Sequence, residues 1–218
     1  MKIAIDGPSG VGKSTLAKAI ASEFNLVYVD TGAMYRMIGF YFLDNKLPYT
    51  AEEDIRKNLC NIHIELRLQD GIELLLNGRN VEGFIRTQEV AKVSSTLAQY
   101  KCVREKLTTL QKEIASKYEI VMDGRDIASN IIPNADIKIY LDEDARVRTK
   151  RRMADLNISE ENFDTVYNEI IMRDEKDFNR EFSPLRIVSD ALVINTDEMN
   201  FDEVKQKVFS LIKSHAKN

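Results

Sequence analysis

Residues Gly7-Pro8-Ser9-Gly10-Val11-Gly12-Lys13-Ser14, with Thr15 behind them and the apolar run Ile3-Ala4-Ile5 in front, constrain this chain more than any other stretch. They satisfy G-x-x-x-x-G-K-[S/T] at each fixed position, after a short strand and before a helix, which is the context a phosphate-binding loop requires. Successive backbone N–H groups have to converge on phosphate oxygens, and only residues without bulk let the main chain come that close. Lys13 adds a mobile positive charge. The helix starting near Lys13 points the positive end of its dipole at the anion, and the Ser14 hydroxyl is a candidate ligand for a Mg²⁺ that bridges the outer phosphates.

Behind the loop, Leu16, Ile20 and Phe24 recur at four-residue spacing beside Ala17 and Ala21, which predicts a helix with one narrow apolar stripe. Leu26-Val27-Tyr28-Val29 reads as a buried strand ending in Asp30-Thr31-Gly32, with Thr31 the expected N-cap of a helix carrying Met34, Tyr35, Arg36, Ile38 and Phe42. Thr50-Ala51-Glu52-Glu53 has the form of a capping box, opening a helix that runs towards Cys60. The period then changes. Ile62, Ile64, Leu66 and Leu68 alternate with His63, Glu65, Arg67 and Gln69, the rhythm of a strand with one face in water. Asp70-Gly71 and Asn77-Gly78 flank the run Ile72 to Leu76, and both dipeptides favour the turns that join antiparallel strands, so a small antiparallel meander is expected here. Two helical stretches follow, one with Val90, Val93 and Leu97 and one with Val103, Leu107, Leu110 and Ile114.

Three more short apolar runs, Glu119 to Met122, Ile137 to Leu141 and Ala191 to Ile194, are each joined to the next by helical sequence. With the first two they predict an α/β fold built on a five-stranded parallel sheet covered on both faces, with ligands bound beyond the carboxyl ends of the strands. Phe201, Val204, Val208 and Leu211 form a last helical stripe, and the polar residues His215 to Asn218 are expected to fray.

Length and charge limit what else the chain can be. At 218 residues it fits one main domain with an insert. A formal net charge of −4 argues against a general affinity for nucleic acid or anionic membrane. Cys60 and Cys102 are far apart, without CxxC spacing or companion ligands, and read as reduced thiols of a cytosolic protein rather than a zinc site. No stretch approaches the roughly 18 apolar residues of a membrane span, and the N-terminus enters a strand directly, so a soluble intracellular protein is expected.

Several strand ends deliver charge to one edge of such a sheet. Asp30-Thr31 ends the second strand and Asp123-Gly124-Arg125-Asp126 the third, which would put Arg36, Arg125 and Asp126 at the edge where ligands bind. Alone, the second of these is an ordinary polar turn; beside a phosphate loop it reads as part of a site. Arg146, Arg148, Lys150, Arg151 and Arg152 place five basic residues within seven positions of one helix. That is either a solvated face or a device for holding transferred phosphate, and the like charges at i, i+4 (Arg148 and Arg152) favour an anionic ligand that would relieve them. Arg173, Asp177 and Arg180 fall at i, i+4 and i+7, opposite a Phe163, Val166, Tyr167, Ile170 stripe, and spacing alone leaves a surface ion-pair ladder and a ligand face both open. Neither His63 nor His215 has an assigned role, and there is no nucleophile paired with a base.

From Ile3 to about Ile194 the chain resembles the bacterial cytidylate kinases, a branch of the nucleoside monophosphate kinases. The resemblance rests on Ile5-Asp6-Gly7-Pro8-Ser9-Gly10, Asp30-Thr31-Gly32-Ala33-Met34-Tyr35-Arg36, Ile85-Arg86-Thr87-Gln88-Glu89-Val90, Asp123-Gly124-Arg125-Asp126-Ile127, and Arg173-Asp174 followed by Asp177, Asn179-Arg180 and Pro184-Leu185. It implies transfer of the γ-phosphoryl group of ATP to CMP or dCMP with Mg²⁺. UMP or AMP as acceptor, or an ATP-dependent switch module, are the alternatives. It also implies a three-layer P-loop fold with a core (1–30, 112–147 and 181–218), a monophosphate-binding region containing the antiparallel insert (31–111), a lid (148–158) and a substrate-facing helix (159–180). In that pattern residues 7 to 15 bind ATP; Thr31, Tyr35, Arg36 and Arg125 serve the acceptor, its phosphate falling to Thr31, Arg36 and Arg125. Ser95, Arg104 and Asp126 face the cytosine, and Arg173, Asp177 and Arg180 reach sugar and phosphates. Lys13, Arg125, Arg148, Arg152 and Arg180 are the candidates for stabilising the transferred group. Ser14 stands where many members of the family carry Gly, and Ala128-Ser129 replaces their usual Gly-Thr. The enzyme implied is a cytoplasmic monomer that acts on small nucleotides.

Overall fold

The computed structural model describes residues 1–68 and 73–215. In chain order its regular elements begin with β1 (Lys2–Asp6), α1 (Lys13–Phe24), β2 (Val27–Asp30), α2 (Thr31–Asp44) and α3 (Glu52–Leu59). Next come β3 (Ile64–Arg67), β4 (Glu73–Leu76), β5 (Arg79–Asn80), α4 (Gln88–Leu97) and α5 (Lys101–Lys117). The chain continues with β6 (Ile120–Gly124), a π-helical turn (Ile127–Ile131), β7 (Ile137–Asp142), α6 (Ala145–Leu156), α7 (Phe163–Asn179), β8 (Leu192–Asn195) and α8 (Phe201–His215). These divide into two compact units, Met1–Val29 with Glu119–Asn218, and Asp30–Tyr118.

The first unit is built on the five-stranded sheet, ordered β2-β6-β1-β7-β8 and parallel throughout, as the five apolar runs predict. Ile3, Ala4 and Ile5 of the central strand are 0% exposed, which is why the run is continuously apolar rather than alternating. α1 lays Leu16, Ala17 and Ile20 into the core beside Val121, Ile139 and Ile194, with Phe24 only partly covered. Each fully buried Leu or Ile contributes about 1.5–3 kcal/mol. Asn25, left-handed at φ 52°, ends α1 and returns its N–H to Ala21 O. At the far end, α8 buries Val204, Val208 and Ile212, whereas Phe201 is 43% exposed and Leu211 only partly covered. The stripe therefore runs strictly at i, i+4, i+8, one position away from the expected Leu211. His215 still belongs to the helix, and the fraying expected beyond it lies outside the described residues.

The second unit holds the antiparallel β3-β4-β5 sheet, with Ile64 opposite Leu76 and Leu75 opposite Asn80. Asn77 and Gly78, at φ 47° and 75°, make the tight turn between β4 and β5 that their dipeptide favours. The Asp70-Gly71 turn and Ile72 lie outside the described residues. The alternation is shorter than expected: β3 starts at Ile64, and Leu68 is 40% exposed. Two caps also differ from expectation. Asp30, not Thr31, caps α2, accepting from Ala33 N at 2.8 Å. Helix α3 forms, but Ala51 occupies its cap and no side chain caps it, so Thr50 makes no capping box; three acidic residues in the first turn offset the helix dipole instead. Helices α2 and α4 meet at Gly39, where an added Cβ would lie 2.4 Å from Ser94 Oγ, 3.0 Å from Ser94 N and 3.2 Å from Val90 O.

Candidate active site

The loop between β1 and α1 has the backbone its spelling requires. Gly7, Gly10 and Gly12 adopt φ of 151°, 79° and 89°, and a Cβ on Gly7 would sit 2.3 Å from the Leu141 carbonyl oxygen. Gly12 caps α1 without any side-chain hydrogen bond, so no side chain competes for the first-turn N–H groups. Lys13 is buried and its Nζ donates to Pro8 O at 2.5 Å. Burial, and then the charge of Arg125, push its pKa well below the usual lysine value, against the pull of Asp123 and Asp177. A phosphate anion at this loop would restore the balance.

Ser14 Oγ donates to Asp123 Oδ2 at 2.7 Å, and the Tyr28 hydroxyl donates to Asp123 Oδ1 at 2.9 Å. A serine hydroxyl and a carboxylate beside a phosphate loop are hard oxygen donors of the kind Mg²⁺ takes, so Ser14 and Asp123 would be the residues to hold it. The donor set fits the ion in the presence of nucleotide. Among the described residues no cluster of three or more His, Cys, Asp or Glu could hold a metal alone.

The basic helix α6 is not a uniform charged face. Arg148 points into the protein: its Nη1 donates to Asp174 at 2.5 Å and to Ser9 O at 2.9 Å, and its Nε to Glu143 O at 3.0 Å. Asp174 closes the ring by accepting from Ser9 N at 3.0 Å. The like-charge cost expected between Arg148 and Arg152 is therefore offset by Asp174 without any ligand, which corrects the argument made from spacing. Arg151 bonds Glu143, and Arg146 lies 5.3 Å over the Tyr167 ring. Arg152 is partly buried and Lys150 exposed. Spacing did not single out Asp174, although Val166, Ile170 and Asp174 continue one buried stripe of α7 at i, i+4, i+8. A charge at a buried register position was the available signal.

Past β6, Arg125 Nε donates to Asp177 Oδ2 at 2.8 Å, and Arg180 Nη2 to Asp126 Oδ1 at 3.2 Å. Arg180 Nη1 lies 3.6 Å from Asp177. Arg180 is not on the helix with Arg173 and Asp177, as i, i+7 spacing implied: α7 stops at Asn179 and Arg180 follows in extended backbone. The contact with Asp177 survives because the chain turns there. Burial raises the Asp177 pKa, but Arg125, Arg180 and Arg173 outweigh it and hold the carboxyl below the usual range. Asp6, completely enclosed at the end of β1, receives Ile127 N at 2.9 Å and Ala128 N at 2.8 Å, which fixes the π-helical turn behind Asp126. Desolvation dominates there and lifts the Asp6 pKa to about 6.

In the second unit, Arg36 Nη2 donates to Asp30 Oδ2 at 2.7 Å, Thr31 is buried at the start of α2, and Arg36 Nε is buried without a hydrogen-bond partner among the described residues. Arg104, 3% exposed on α5, lies 5.6 Å over the Tyr35 ring. Ser95 is partly buried on α4 next to Ser94, whose hydroxyl bonds Val90 O. The structure thus groups Tyr35 with Arg104 and Arg36 with Asp30 in one unit. In the other it groups Lys13, Ser14, Arg125, Asp126, Asp177 and Arg180 around the loop and the ends of β6 and α7.

Comparisons with known proteins bear on the family and the fold. The model of the family described as cytidylate kinase matches residues 3–214. The chain is 40% identical over 223 residues to a cytidylate kinase of Caldicellulosiruptor bescii, covering 100% of this chain and 98% of the relative. It is 39% identical over 215 residues to one of Bacillus cereus, covering 97% and 96%. In fold it is similar to a gluconokinase from Sinorhizobium meliloti, with TM-score 0.53, 12% identity and 100% and 94% of the two chains covered. A shikimate kinase from Bacteroides thetaiotaomicron gives TM-score 0.50 at 17% identity, with 98% of each chain covered. No described helix is long and apolar enough to cross a membrane. The two structural neighbours bear on fold alone, whereas the full-length match and the identity to the curated relatives establish that this chain belongs to the cytidylate kinase family.

Proposed function

We propose that the chain transfers the γ-phosphoryl group of ATP to the phosphate of CMP or dCMP, releasing ADP and the diphosphate by direct in-line displacement. The observation that carries this reading is Arg36, a shielded guanidinium held by Asp30 with a buried Nε that has no hydrogen-bond partner among the described residues. An anionic acceptor supplies what that donor lacks. On this reading residues 7 to 15 cradle ATP, and Lys13 follows the charge that develops on the transferred group. Thr31, Arg36 and Arg125 take the acceptor phosphate, and Ser95, Arg104 and Asp126 the cytosine. Arg173, Asp177 and Arg180 take sugar and phosphates, while Arg148 and Arg152 belong to the lid that excludes water. Arg148 and Arg125 also keep Asp174 and Asp177 neutralised, so neither carboxylate repels the nucleotides. When Mg²⁺ is bound, held by Ser14 and Asp123, it supplies neutralisation of the outer phosphates. An acceptor phosphate is already a nucleophile at neutral pH, so no general base is required. We place the enzyme in the cytoplasm as a monomer whose partners are small nucleotides.

A coupled assay of ADP formation with CMP, dCMP, UMP and AMP offered in turn tests the proposal. Turnover with CMP and dCMP well above UMP and AMP is expected. Turnover with none of the four would leave an ATP-driven switch, and preference for UMP or AMP would move the chain to another acceptor.

A further inference from the structure

One carboxylate of the second unit makes two kinds of contact at once. Asp30 Oδ1 accepts the Ala33 N–H at 2.8 Å and caps α2. Its Oδ2 accepts from Arg36 Nη2 at 2.7 Å and from Arg86 Nη2 at 3.5 Å. The Asp30 and Arg36 side chains are 11% and 19% exposed, so the pair is shielded and its charge-assisted bond holds a long, flexible guanidinium in one place. Arg86 is half exposed and also bonded to Glu82, and it brings a second positive charge to the same oxygen.

Gly32 supports the same picture. Its φ is not in the left-handed region, and helix propensity gives no reason for a glycine there. An added Cβ, however, would lie 3.1 Å from Arg36 Nη1 and 3.1 Å from Asp30 Oδ1. The missing side chain leaves the space that the ion pair occupies.

We propose that Asp30 is a positioning residue for acceptor recognition: it fixes the Arg36 guanidinium in the orientation that leaves Nε to an oxygen of the incoming phosphate, and it offsets the repulsion between Arg36 and Arg86. The proposal rests on the assignment of Arg36 to the acceptor phosphate. It separates cleanly from the cap, because an asparagine amide oxygen caps a helix as well as a carboxylate does but offers no charge to a guanidinium.

The test is Asp30→Asn. Its thermal unfolding is expected to match that of the parent, with KM for ATP unchanged and KM for CMP raised about tenfold. Placed in an Arg36→Ala background, the same substitution should add nothing, since its effect passes through Arg36. A KM for CMP that is unchanged or lower, or an effect that adds fully to that of Arg36→Ala, overturns the positioning role. A parent enzyme that does not turn over CMP removes the functional reading and this proposal with it, whereas a CMP-active parent beside an indifferent Asp30→Asn removes only the proposal. Should Asp30→Asn fail to fold, Gly32→Ala takes its place. By crowding the pair without removing either charge it should raise KM for CMP selectively, and a normal value there also overturns the proposal.

Discussion

Replacing Asp174 with alanine tests whether the ring that joins Ser9, Arg148 and Asp174 holds the phosphate loop and α6 in place. Arg148 and Asp174 are 6% and 9% exposed and 2.5 Å apart, so solvent does little to screen or replace the lost partner. The substitution leaves a guanidinium buried with, among the described residues, the Ser9 and Glu143 carbonyls as its hydrogen-bond partners, and leaves the Ser9 N–H without its acceptor. Removing one partner of a buried pair costs about 3–5 kcal/mol. At this chain length each kcal/mol moves the midpoint by about 2–4 °C, so a fall of about 6–20 °C is expected. Arg148→Met should cost a comparable amount. The double variant leaves no charge behind, and it should be more stable than the sum of the two losses by about 2–3 kcal/mol. Calorimetry and far-ultraviolet circular dichroism on all four proteins measure the cycle. A loss below about 1 kcal/mol for Asp174→Ala, or strict additivity in the double variant, would show that the ring is not what holds these elements.

Two further outcomes are expected. Lys13→Ala should lower kcat by about 10²–10³ while its circular dichroism and unfolding midpoint stay near those of the parent, and near-normal turnover would remove Lys13 from the transfer step. Asp6 should leave its mark on the pH dependence of stability. Its folded pKa of about 6 exceeds the ordinary 3.8, so the folded chain binds the proton more tightly. The stability it contributes is fully present below pH 3.8 and is lost as the pH rises to about 6, on the order of 3 kcal/mol in all. Urea midpoints of the parent and Asp6→Asn across that range should therefore diverge, and parallel curves would contradict the shift.

Much of the first unit could be read from the chain because its central strands β1, β6 and β7 are largely buried on both faces, and all five strands announce themselves as short apolar runs, each ending in polar residues. The loop was legible for a different reason: Gly7, Gly10 and Gly12 meet a backbone demand that few other residues satisfy. What escaped the sequence are polar side chains whose partners are remote along the chain. Asp174 meets Ser9, and Asp6 meets Ile127 and Ala128, across more than a hundred residues. No periodicity reports such a pairing. Tyr28 was counted as part of an apolar strand, yet its hydroxyl shares Asp123 with Ser14. The expected caps at Thr31 and Thr50 failed where a neighbour intervened: Asp30 caps α2 itself, and Ala51 precedes α3 without any side-chain bond. The basic run on α6 misled because charge density along a helix does not say which member turns inward.

The contact at Gly39 sets a scale. With backbone and hydroxyl of α4 pressed against α2 at that point, neither helix can slide along the other without a clash of main-chain atoms. Arg36 rides on α2 and Ser95 on α4, the residues assigned to the phosphate and to the base. Under the proposed function their separation is a fixed ruler inside one unit, against which the span of the acceptor would be measured before any hydrogen bond is compared.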